Sequence, residues 1–349
     1  MISGLIAATL LLPQSGTVEI PFTMTDSAMI VDAVVNGKKV SCMFDTGFSG
    51  AFVLGDTINV GEATGVMNLR DFVGQFQAKT VKIKSLALGP NGEKKVDSAD
   101  MEVVQQPSRD YSASYGLHVD GIMGLEVAAH TIMEINFERK KLIFHPKELD
   151  ITKRTPDNKK TFLAKMLPQG NKSIELLVKT ASGQSMVLAL DTGNGFYATT
   201  HRDVLERVGI WKEGKNPVFT KTAMVASGPV ASWYLRMKDI NIYGVPVPES
   251  VWSIIDLPAS SAEHDGTVGF GFLKNFNITV DLDRRRVWLD NYSGKVTDDQ
   301  KAGTGISAFY DETVKRMRIF NVTPSSPAAK AGIQRGDHLL AVGDVDLAR

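Results

Sequence analysis

Apolar and polar residues alternate with a period of two through much of this chain. Thr80–Leu88 (TVKIKSLAL) and Ser173–Lys179 (SIELLVK) are clear cases, bounded by Gly, Asn and Pro. That period predicts half-buried strands, because successive strand side chains point to opposite faces. Two short apolar runs, VSCMF ending at Phe44 and SMVLAL ending at Leu190, predict more deeply buried strands. Helices are expected only in short stretches, over 202–208, near 126–131 and at 327–331. A charged stretch with Pro156, residues 148–160, predicts a linker, and residues 293–302 predict a second polar connector. The pattern is therefore that of a mainly β chain in two halves with a further piece behind them.

The halves repeat each other. Each apolar run leads into Asp-Thr-Gly, at Asp45-Thr46-Gly47 and again at Asp191-Thr192-Gly193. Farther along, DGIMG from Asp120 and DGTVG from Asp265 each place apolar residues before a second glycine, Gly124 or Gly269. Each is followed by a strand, a charged turn (Glu138–Lys141; Asp283–Arg286) and another strand. The offsets, 146 for the first motif and 145 for the second, nearly coincide. A single Asp-Thr-Gly is explained equally well by an Asx-type turn at a strand end. Two motifs at one offset are a duplication. The organisation expected is residues 17–147 as one lobe, 148–160 as linker, 161–292 as a second lobe, 293–302 as connector and 303–349 as a C-terminal unit.

Composition narrows the chemistry. Lys plus Arg and Asp plus Glu are 39 each, so no net field points to nucleic acid or to an anionic membrane. Cys42 is the single cysteine, which excludes an intrachain disulfide and a cysteine-based zinc site. Its place in VSCMF reads as a small buried residue better than as a nucleophile. The six histidines show no metal-ligand spacing, so no metal or other cofactor is expected. Residues 1–16 carry an apolar stretch too short to span a bilayer; it reads as the hydrophobic part of a secretory signal peptide or as a buried N-terminus. Export to a periplasm or the exterior is the reading taken, and no other segment reads as a membrane span.

Two aspartates on matching turns suit hydrolysis of a peptide bond. Carboxyls held close cannot both ionise readily, so the pair keeps one proton. One member then serves as base toward water while the other polarises the carbonyl. Gly47 and Gly193 permit the tight turn, Thr46 and Thr192 supply small hydroxyls, and the preceding strands anchor each aspartate.

With these residues in view, the chain resembles the pepsin and retropepsin-like aspartic proteases over about residues 28–292. It is most similar to bacterial bilobal members that carry a PDZ domain. The resemblance rests on Asp45-Thr46-Gly47, Asp191-Thr192-Gly193 and the supporting strands that end at Gly124 and Gly269. It implies two β lobes around a central cleft that takes an extended peptide or unfolded protein. It also implies hydrogen bonds that interlock Thr46 with Thr192, and a glycine-bearing flap, for which Gly74 (within Asp71–Gln75) and Gly228 (within Ala226–Pro229) are the candidates. The sequence departs from the family where Phe48, and in the second half Asn194-Gly195, follow the motif. The run VTPSSPAAKAGIQRGDHLLAVGD resembles part of a bacterial PDZ domain, an α+β segment. That resemblance implies a carboxylate-binding loop at Gly303-Thr304-Gly305-Ile306 for a peptide C-terminus. Since one chain supplies both halves, the expected unit is a monomer. The rival reading is a peptide-binding protein that has the lobes and no catalysis.

Overall fold

A computed structural model of the chain describes residues 16–70, 75–107, 115, 117–168, 173–212, 217, 219–225, 228–259, 264–297, 303–311 and 313–347. The expected leader, apart from Gly16, and the flap candidate Gly74 lie outside those residues. The fold is mainly β, and the helices among the described residues run to one turn or two.

Local chemistry starts the first lobe. Met29–Val35 and Lys38–Asp45 are joined by Asn36-Gly37, both with positive φ (47° and 81°). A two-residue turn of this kind matches the twist of the strands that it joins. Asn36 then does a second job. Its Oδ1 accepts the N–H groups of Lys84 (2.7 Å) and Ser85 (3.1 Å), and its Nδ2 donates to Val60 O and Lys82 O. The run Thr80–Leu88 is consequently two strands instead of one. Gln75–Lys82 pairs with the Gly65–Arg70 strand, and Leu86–Leu88 turns to pair with Met29–Val35.

The two aspartate strands have matching neighbours. Lys38–Asp45 lies between antiparallel Met29–Val35 and parallel Gly121–Gly124, with Gly124 opposite Asp45. Ser185–Leu190 lies between antiparallel Glu175–Lys179 and parallel Gly266–Val268, with Val268 opposite Leu190. Each parallel partner also pairs antiparallel with the strand after the Asp-Thr-Gly turn, Phe52–Gly55 or Ala198–His201. The duplicated Asp-Gly explains itself here. Asp120 Oδ2 accepts Ser41 N–H and Asp265 Oδ2 accepts Val187 N–H, each at 2.8 Å, so each carboxylate closes the parallel pair where it begins.

The duplicated hairpins at the ends of the halves do not stay apart. Ile132–Asn136 pairs antiparallel with Phe276–Asp281, with Ile135 opposite Ile278. One six-stranded sheet results, in the order Val18–Pro21, Lys141–His145, Ile132–Asn136, Phe276–Asp281, Arg286–Asn291, Thr161–Lys165. Both hairpins turn through a left-handed residue at the matching place, Lys140 (φ 53°) and Arg285 (φ 53°). The stretch read as a linker is part of this packing: Leu149 and Ile151 are buried against Ile132 and Trp288, and Arg154 lies over the Trp288 ring.

The C-terminal unit is the hairpin of Ile306–Asp311 and Arg316–Val322, followed by a short helix, Pro327–Lys330, capped by Ser326. It seats on the Thr220–Val225 strand of the second half. Thr323 donates its hydroxyl to Thr220 O (2.6 Å), Asn321 donates its amide to the same oxygen (3.0 Å), and Ser307 Oγ accepts Thr222 N–H. Among the described residues no helix is long and apolar enough to cross a membrane.

Ile135 and Ile278 are both fully buried at the junction of the halves. Truncating either to Ala should cost about 2–5 kcal/mol in urea unfolding. Because they are direct cross-strand neighbours, the double variant should depart from additivity by about 0.5–3 kcal/mol. Strict additivity would show that the two halves do not share this contact.

Candidate active site

Asp45 ends its strand and Asp191 follows its own by one residue, so both carboxyls project from rigid sheet into the turn beyond. The turns are cross-linked beneath them. Thr46 Oγ1 donates to Leu190 O (2.8 Å) and accepts Thr192 N–H (3.0 Å). Reciprocally, Thr192 Oγ1 donates to Phe44 O (2.7 Å) and accepts Thr46 N–H (3.1 Å). Both threonines are buried, and each hydroxyl satisfies one donor and one acceptor of the opposite half. Four bonds about an approximate two-fold axis thus set the separation of the aspartates.

Above this link each carboxyl lies against the opposite turn, Asp191 beside Gly47 and Asp45 beside Gly193, so that the two groups converge. Gly47 N–H donates to Asp45 Oδ1 (2.8 Å), and Gly193 and Asn194 N–H groups donate to Asp191 Oδ1 (2.9 and 3.0 Å). The glycines are required for space. A Cβ on Gly47 would lie 2.8 Å from the Asp191 carboxyl, and one on Gly193 would overlap the Asp45 carboxyl. Gly124 and Gly269 support the turns from behind. Gly124 N–H bonds Ala51 O and Leu125 N–H bonds Phe48 O; Gly269 N–H bonds Tyr197 O and Phe270 N–H bonds Asn194 O.

Asp191 is 8% exposed and Asp45 half-buried. Burial pushes both carboxyls above the usual carboxylate range, and the charge on Asp45 adds to the rise at Asp191. The pair therefore holds a proton at a pH where isolated aspartates have lost theirs, so one acid and one base stand side by side.

The halves differ around this centre. Asn194 Nδ2 donates to Thr199 Oγ1 (3.0 Å) and Thr267 Oγ1 (2.7 Å), and its Oδ1 accepts Phe196 N–H (3.0 Å). In the first half the corresponding residues are Phe48, Val53 and Ile122, which belong to an apolar cluster. Neither Asn194 nor Thr199 belongs to a recognisable motif. The signal that finds them is the alignment of the two halves, where three polar residues face three apolar ones.

The other candidates lie elsewhere. Gly228 starts the long Gly228–Ile242 strand, opposite Val225, and the hairpin tip between them is outside the described residues. Farther down that hairpin Tyr234 stacks on Phe219 and meets Phe196 edge-on, each at 5.9 Å. Gly303 packs beside Phe219, Gly305 packs against Ser326, and Ile306 opens the C-terminal hairpin. None of these four residues, Thr304 included, contributes a hydrogen bond to the aspartates.

Among solved structures, the chain overlays the crystal structure of an aspartic proteinase from Irpex lacteus with a TM-score of 0.47. Identity is 13%, over 80% of this chain and 100% of that one. No family model and no curated protein matches the chain. An overlap this loose transfers neither residues nor activity.

Two outcomes follow from the geometry. Thr46→Val leaves Leu190 O and Thr192 N–H buried without their partner and should destabilise the chain by about 2–4 kcal/mol in urea unfolding, which Thr46→Ser should largely restore. The raised carboxyls have the opposite effect on stability. Between the unfolded carboxylate range, about 3.9, and the raised folded values, the native chain binds more protons than the unfolded one. Stability falls as pH climbs through that window and stays lower above it. Asp191→Asn should therefore stabilise the chain at pH 7 and do little at pH 3. Equal effects at both pH values would show that the folded carboxyl is not raised.

Proposed function

We propose that this chain is an aspartic-type endopeptidase, with Asp45 and Asp191 as the catalytic pair and an extended peptide or unfolded protein as substrate. The observation that carries the reading is the juxtaposition of two carboxyls, Asp191 buried and Asp45 half-buried, each lying against the opposite Asp-Thr-Gly turn and held by reciprocal threonine bonds in a duplicated frame. A structural role would be served as well by an ion pair or by apolar side chains, without the burial cost that two carboxyls incur.

In this reading the ionised carboxylate takes a proton from a water molecule as its oxygen attacks the carbonyl carbon of the scissile bond. The protonated carboxyl gives its proton to the carbonyl oxygen, and a tetrahedral diol forms. The carboxyl that took the water proton then passes it to the amide nitrogen while the other takes a proton from one diol hydroxyl, and the C–N bond breaks to release an acid and an amine. The hydrogen atoms balance, the dyad returns to its single-proton state, and no covalent link to the enzyme forms. Both halves of the site come from one chain, so the active unit is a monomer.

Incubation with a random peptide pool, read by mass spectrometry from acidic to neutral pH, tests the proposal. Wild type should cut internal bonds, and Asp45→Asn and Asp191→Asn should each lower the rate by about 10²–10⁴-fold or more. Undiminished cleavage by Asp45→Asn would exclude the paired-carboxylate mechanism. Binding of peptides without cleavage by any form would instead favour a recognition protein that keeps the lobes.

A further inference from the structure

Past the aspartate turns, each half carries the same frame on into a hairpin. Phe52–Gly55 runs parallel to Glu102–Gln106, which pairs with Gln75–Lys82 and through it with Gly65–Arg70. Ala198–His201 runs parallel to Val245–Ile255, which pairs with Gly228–Ile242 and through it with Thr220–Val225. Direct cross-strand partners share a face, as do residues two apart. The registers thus put Val53, Val104, Thr80, Ala78 and Met67 on one face of the first half. Thr199, Ser253, Tyr234, Ser232 and Lys221 take the matching places in the second. The first face is closed by hydrocarbon, since Val53, Val104, Ala78 and Met67 pack together with Phe48. The second face is polar. It abuts the turn of the second aspartate, because Thr199 accepts the amide of Asn194 and Asn194 N–H donates to Asp191.

Three donors on this face lack an acceptor among the described residues. Ser232 Oγ and Ser253 Oγ are buried without a hydrogen-bond partner. Lys221, directly opposite Ser232, is half-buried with its Nζ 4.8 Å from the centre of the Tyr234 ring. No carboxylate offsets its burial, which pushes the ammonium below the usual lysine range. A cation fixed over a ring beside two hydroxyls is a donor set that a carboxylate satisfies. We infer that Lys221, with Ser232 and Ser253, forms a subsite for a carboxylate carried by the substrate, on the second half only. The inference rests on the peptidase reading and adds a substrate class, peptides with a negative charge at a fixed distance from the cleaved bond. Lys221 is the least buried of the three, so the ammonium meets the carboxylate first and the hydroxyls complete its set. Tyr234 stands two strands from Thr199, roughly 10 Å, which an extended peptide covers in about three residues. The charge therefore belongs within about four residues of the cut.

The test compares kcat/KM at low salt for peptide pairs that differ only as Glu or Gln at each position around a cleaved bond, and as free acid or amide at the C-terminus. Wild type should prefer the charged member at one position by about 10-fold. A preference for internal Glu assigns the carboxylate to a side chain, and one for the free acid alone assigns it to the substrate's C-terminus. Lys221→Met, which repeats the residue of the first half, should bring that ratio close to one. Lys221→Glu should reverse it, favouring Lys over Gln at the same position, and Ser232→Ala should lower it in part. No charge preference in wild type, or a preference kept by folded Lys221→Met, overturns the inference. If Lys221→Met does not fold, Lys221→Gln decides by the same criterion. If wild type cleaves nothing, the peptidase reading fails by itself. Fluorescence anisotropy of the same peptides, labelled, then decides on the subsite: tighter binding of the charged member, lost in Lys221→Met, supports it, and equal binding or none overturns it.

Discussion

The reciprocal bonds between Thr46 and Thr192 are the constraint on which the rest of the structure depends. They join the two halves at a point where neither half has a backbone partner of its own to offer. Each hydroxyl occupies one carbonyl and one N–H of the opposite strand end. Without those bonds, four polar groups would be buried unpaired at the one place where two carboxyls must also be kept together. The strands behind them, tied to Gly121–Gly124 and Gly266–Val268, convert this local link into a fixed separation of Asp45 from Asp191.

A second link lies in the shared six-stranded sheet, and the two links act differently. The sheet joins the halves through burial of apolar surface at Ile135, Ile278 and Trp288, which is strong and tolerant of small displacements. The threonine bonds contribute less energy and more geometry, since a hydrogen bond weakens steeply when its angle or length is wrong. Together they join the two halves by apolar burial in the sheet and by directed bonds at the aspartate turns.

Duplication need not leave the halves chemically equal. The backbone pairing has been retained almost residue for residue, while Phe48, Val53 and Ile122 face Asn194, Thr199 and Thr267 across the approximate axis. One half also carries the C-terminal unit on its Thr220–Val225 strand, through Ser307, Asn321 and Thr323. Symmetry of the frame and asymmetry of the side chains are both visible at a single centre.

By itself the sequence determined the period of the strands, the repeat, and the presence of Asp45 and Asp191 on equivalent turns. These are local or register properties, written in side-chain alternation and in spacing along the chain. Only the tertiary structure decided that Thr80–Leu88 breaks around Asn36, because that break depends on an amide contributed by a hairpin more than forty residues away. It alone decided that the terminal hairpins join in one sheet and that Leu149 and Ile151 of the charged stretch are buried. The polar cluster at Asp191 belongs there too. Asn194 is ordinary in a list of residues and acquires meaning only when the strand of Thr267 is laid beside the strand of Thr199, because hydrogen-bond direction is a property of three-dimensional neighbours.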